Sequence, residues 1–118
     1  MANPNIYTVT ALYGNTAALA VSSTTTNVVS NPTSSGYIYR VNLLTVANIS
    51  TNSYAMTAEL NIAGSNTSIV KNVVIPSNSA LSIIGRDTTM YLLENSSIQL
   101  STQQNSAFQA ICSWEQLS

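Results

Sequence analysis

Four carboxylates, three cations and one thiol are all the ionisable chemistry this chain offers apart from its tyrosines: Glu59, Asp87, Glu94 and Glu115; Arg40, Lys71 and Arg86; and Cys112. Acid and base catalysis on one bond requires two carboxyl groups held close together with their pKa values pushed apart. Asp87 and Glu94 are the nearest pair in sequence, but they stand at turns flanking the extended stretch Thr88 to Leu93, which separates them by about 20 Å. Serines are abundant, yet the chain has no histidine to activate one, and Lys71 lies mid-strand outside any Ser-x-x-Lys context. The glycines at 14, 36, 64 and 85 are each isolated at a turn, so no glycine-rich loop leads into a helix to cradle a phosphate. A lone cysteine without histidine leaves no nitrogen and sulfur set for zinc, and only Asp87 would bring charge to a calcium loop. The expectation is a protein that is not an enzyme, with no catalytic residue, no cofactor and no metal.

Charged residues make up 6 % of the 118 positions, with a formal net charge of −1, against about 25 % in ordinary domains. Without clustered Lys and Arg there is nothing to displace phosphate counterions, so nucleic acid is not an expected partner. No stretch approaches the roughly 18 apolar residues of a membrane span, and the opening MANPNIYTV has neither the positive lead nor the apolar run of a secretion signal. A surface of Ser, Thr, Asn and Gln lacks the charge that keeps copies apart, which points to protein–protein contact and to a homo-oligomer, a trimer or another closed ring. The sequons at Asn48, Asn66 and Asn95 are given no weight in so Asn- and Ser-rich a chain.

These residues must be positioned by strands. Gly36 to Ile49 (GYIYRVNLLTVANI) is the longest β-favouring stretch without a breaker and reads as the central strand. Its odd positions, Tyr37 to Ile49, are expected in the core, and its even positions, Ile38, Arg40, Asn42, Leu44, Val46 and Asn48, on a mixed face that meets a neighbour or a loop. Ile6 to Tyr13 and Thr16 to Val21 read as two strands parted by a turn at Gly14 and Asn15. Thr26 to Ser30 is a short strand, and Asn31 to Gly36 is a loop stopped by Pro32. Tyr54 to Ala63 and Thr67 to Ile75 form the clearest hairpin. Ala80 to Ile84, Thr88 to Leu93, Ser97 to Thr102 and Ala107 to Leu117 follow, the last with Phe108, Ala110, Cys112 and Trp114 on its inner face. About eight to ten short strands at regular spacing predict one all-β domain over residues 1–118, an antiparallel β-sandwich of jelly-roll or immunoglobulin-like type. Met1 to Asn5 reads as a flexible or docking arm. The expected protein contacts are Asn3, Pro4 and Asn5 in that arm, Pro32 in its loop, Arg40 on the mixed face, and Arg86 with Asp87 at their turn.

The strand VNLLTVANIS, the proline-bearing phrase VVIPSNSALSIIGRDTTMYLLENSSIQL and the closing AICSWEQLS, with Ser113, Trp114 and Glu115, resemble small β-sandwich virion structural proteins of tailed phages, especially those of cyanobacteria. The resemblance covers roughly residues 37 to 118. It implies a virion protein, made in the host cytoplasm, whose partners are the major capsid protein or other virion proteins. A capsid decoration or cement protein is the leading expectation and a neck, tail or fibre-attachment protein the alternative. Six tyrosines that could line a sugar groove keep a glycan- or receptor-binding module as an alternative of another class.

Overall fold

The structure is a computed structural model, and it describes residues 12–85 and 89–117. Nine strands and no helix occur among them: β1 (Leu12–Val21), β2 (Thr26–Asn31), β3 (Ile38–Asn48), β4 (Tyr54–Ile62), β5 (Ser65–Ile75), β6 (Ala80–Ile84), β7 (Met90–Leu92), β8 (Ser96–Thr102) and β9 (Phe108–Leu117). Among the described residues no helix is therefore long and apolar enough to cross a membrane.

The strands form two antiparallel sheets. The front sheet runs β1-β9-β3-β6 with β7 also on β3, and the back sheet runs β2-β8-β4-β5. On β3, β6 pairs along Leu44 to Ala47 and β7 along Tyr39 to Val41, so the two are successive pieces of one interrupted strand. Counted that way the pairing closes inward from both chain ends: β1 with β9, β2 with β8, β3 with β6 and β7, β4 with β5. A long hairpin rolled up in this manner is a jelly roll. The immunoglobulin-like alternative has a different strand order and is set aside.

The core between the sheets is one cluster in which Phe108, Leu44, Val41, Val46, Met56, Ala58, Leu92, Ile98, Leu100, Ala110 and Cys112 are at most 1 % exposed. β9 supplies its share as its alternation predicts, with Phe108, Ala110 and Cys112 buried and Trp114 packed against the cluster, its ring centroid 6.1 Å from that of Tyr39. The hairpin is present, but its turn is tighter than the expected Gly64 to Asn66: Ser65 and Asn66 already belong to β5, with Ile62 opposite Ser65 and Asn61 opposite Asn66.

Two further expectations are corrected. The core side of β3 is odd only as far as Val41; beyond it Leu44, Val46 and Asn48 are buried, while Leu43 is exposed. The cause is a bulge: against β9, Val41 pairs with Trp114 and Leu43 with Ser113, leaving Asn42 as the extra residue. One inserted residue moves every later side chain to the opposite face. The turn at Gly14 and Asn15 is absent. Both lie inside β1, paired with Glu115 and Trp114 in a register that runs unbroken from Leu12 to Val21, because ladder pairing along β9 outweighs the local turn preference of a Gly-Asn pair.

Candidate functional site

A docking surface is set by which residues each sheet turns outward. On the front sheet the register aligns them in rows across the strands. Ala20, Gln109, Ala47 and Ala80 form one row, and Ala18, Ile111, Thr45 and Ser82 the next. Thr16, Ser113 and Leu43 form a third, with the Thr16 and Ser113 hydroxyls 3.3 Å apart. None of these side chains can ionise. Between the first two rows Ala18, Ala20 and Ala47 leave a shallow depression of about 360 Å³, lined also by Gln109, Thr45 and Ile111. Ile111 is 46 % exposed, a large apolar side chain standing in water at the edge of this depression.

The fourth row, Gly14, Glu115, Arg40 and Tyr91, holds the front face's charge among the described residues. The Arg40 guanidinium donates to Glu115 Oε1 at 2.6 Å, and the bulged Asn42 donates its amide to the same oxygen at 2.8 Å. The bulge turns both Asn42 and Leu43 outward, and this lets the amide reach. The two donors hold the Glu115 carboxyl below the usual carboxylate range, Arg40 being the larger cause, while the same bond raises Arg40 further. The pair is charge-neutral as a unit. Its net contribution to stability is small because Arg40 is 39 % exposed.

The back sheet presents a different chemistry. Its outward residues are mostly amides and hydroxyls, with Asn61 opposite Ser97 and Asn66, but they include Glu59, opposite Gln99 and Ser68, and the exposed Val74. Glu59 and Glu115 therefore face away from each other on opposite sides of the sandwich, and Glu94 lies in the turn after β7, within reach of the Gly36 amide at 3.4 Å. Among the described residues no three potential metal ligands come together. Cys112 faces the core between Ala17 and Leu44, and burial pushes its thiol up to about 12, where the reactive thiolate is scarce at neutral pH.

Of the expected contact residues, Arg40 is on the front face as described. Pro32 is exposed in the loop after β2, and its carbonyl accepts from the Asn95 amide at 3.5 Å, tying that loop to the turn before β8. These two are not brought together. Asn3, Pro4, Asn5, Arg86 and Asp87 lie outside the described residues. Among the described tyrosines, Tyr39 packs tilted against Trp114, Tyr91 flanks Arg40, and Tyr54 pairs with Ile75 toward the other end of β3. The ion pair was not anticipated, because Arg40 and Glu115 are 75 positions apart and their contact depends on β3 lying beside β9.

These features define a jelly-roll sandwich with one outer face whose charge is confined to a single ion-paired row and one amide-rich outer face. No family model and no curated protein matches the chain. Among solved structures it is similar to a chain of the acidic stable capsid structure of Helicobacter pylori bacteriophage KHP30, with a TM-score of 0.52 and 9 % identity over 93 % of this chain and 90 % of that one. At that identity the likeness is one of fold.

Proposed function

We propose that this chain is a non-enzymatic structural protein of a phage virion, a capsid decoration or cement protein that binds the major capsid lattice. The observation that carries the reading is the front sheet's outer face, three successive rows of uncharged side chains around Ile111 and Leu43. Removing such a face from water costs no charge desolvation, whereas a charged face would need a matched partner. The likeness in fold to a chain of a phage capsid structure supports the same reading. Pro32, Arg40, Arg86 and Asp87 are proposed as rim contacts, and Asn3, Pro4 and Asn5 as contacts to a neighbouring subunit.

The test is to add the purified protein to emptied shells and count bound copies, then compare rupture temperatures of shells with and without it. Binding at many copies per shell with a raised rupture temperature is the expected result, and Leu43→Lys should weaken it by roughly tenfold by placing an unpaired charge in the contact. A handful of copies at one vertex would favour a neck or tail component instead. Saturable sugar binding with no affinity for shells would favour the glycan module.

A further inference from the structure

The two sheets have four edges among the described residues, and three of them carry the devices that keep an edge from pairing with another chain. β2 is short and its register breaks around Val28. β5 is broken twice, near Asn72 and Ile69, carries Lys71, and holds Asn72 at a φ of 51°. β6 and β7 have five and three residues, separated by an interruption. Short length, bulges and lysine are how natural sheets blunt their edges.

β1 has none of these. Its ten residues, LYGNTAALAV, contain no charge and no proline, and every one is in register with β9. Its side chains from Gly14 to Ala20 are mostly small, so a second backbone can approach to the usual spacing of about 4.8 Å. Among the described residues β1 has one hydrogen-bonded neighbour, β9. The backbone N–H and C=O groups on its other side form a ready template for a further strand.

We propose that β1 pairs antiparallel with β1 of a second copy of this chain, joining two front sheets into one continuous sheet. A second copy is the occupant for two reasons. β1 has no charge to repel itself and none to prefer an oppositely charged strand. Because the other edges are blunted, the contact must use the same edge on both copies, which makes it a two-fold pair rather than a head-to-tail ring. The strip is about 34 Å long and 10 Å deep, or roughly 340 Å² on each side, under half of a standard interface. The pair is therefore weak in free solution and strengthens where copies are held side by side. The inference stands apart from the capsid reading, since it needs the chain alone.

Sedimentation equilibrium of the full chain up to about 1 mM tests it. A reversible monomer–dimer equilibrium is expected. Ala18→Lys, at an exposed mid-strand position, places a cation on each of the two facing edges and should raise the dissociation constant about tenfold or more. Ser68→Lys on the β5 edge and Ile111→Lys on the front face, one strand in from β1, should leave it unchanged. Circular dichroism checks that each variant is folded. A monomer throughout the concentration range, a trimer, or a dimer that Ile111→Lys disrupts as strongly as Ala18→Lys would each overturn the proposal.

Discussion

Asn48 donates a hydrogen bond of 2.8 Å to the carbonyl of Ile75, and so ties the last residue of β3 in the front sheet to the last residue of β5 in the back sheet. The same amide donates to the Asn52 carbonyl at 2.9 Å and accepts from the Ser50 amide and hydroxyl. Asn31 makes the reverse tie at the far end of β3. It ends β2 in the back sheet and donates to the carbonyl of Leu92, which ends β7 in the front sheet, at 3.0 Å, and to Tyr37 at 2.9 Å. Both side chains are 1 % exposed. The sandwich is thus clasped at both ends by buried amides with their hydrogen bonds satisfied.

Asn48→Ala leaves the Ile75 carbonyl without that donor and opens a polar cavity. The expected cost is about 3 kcal/mol in urea unfolding, with Asn31→Ala similar. Asn52→Ala, whose exposed side chain makes one contact of 3.5 Å to the Tyr54 hydroxyl, should cost less than about 0.5 kcal/mol.

The β4–β5 hairpin turns on Ala63 and Gly64, with φ of 51° and 91°. A two-residue loop with both φ values positive is the type I′ geometry that suits Asn-Gly. Ala63→Asn should therefore stabilise by about 0.5 to 1 kcal/mol, and Gly64→Ala should destabilise by about 1 to 2 kcal/mol. The midpoints of thermal unfolding check both signs.

Cys112 should resist thiol-specific labelling at pH 8 in the native protein and react at the full rate once unfolded, since burial pushes its pKa to about 12 and its side chain is fully covered. Labelling at the rate of a free thiol in the native state would contradict the packing of β9 into the core between the two sheets.

Glu115 supplies a pH dependence whose sign is fixed. Its carboxyl is held low in the folded protein by Arg40 and then Asn42, so the folded state favours the ionised form. The resulting stability is present above the unfolded carboxylate pKa of about 4.3 and is lost as pH falls through the lower folded value. Glu115→Gln should cost below about 1 kcal/mol at pH 7, and the difference from the unmodified chain should vanish in strong acid. Urea midpoints from pH 7 to pH 2 give this directly. With only four acidic side chains and no histidine, the unmodified chain should itself lose little stability over that range.

The strands whose faces were legible in the sequence were those whose alternation runs without insertion: β4, and β9, where Phe108, Ala110 and Cys112 mark the core side; β2 and β5 were legible as strands although their registers break. β3 was legible as a strand but not by face, because Leu43 and Leu44 are both apolar and hide the bulge at Asn42. Asn48 was read as a half-covered polar residue within a sequon of no weight. Its partners at Ile75 and Asn52 belong to a strand end and a loop that alternation does not place. The Arg40–Glu115 pair and the open β1 edge depend on strand order, which the jelly-roll topology supplies and local sequence does not.

The central claim is that this sandwich is a lattice-bound virion component acting by adhesion. A mass-spectrometric copy count on purified particles, calibrated against the major capsid protein, tests it most directly. The account predicts copies in fixed proportion to the capsid lattice. Absence from particles, or a number matching a single vertex, would contradict it.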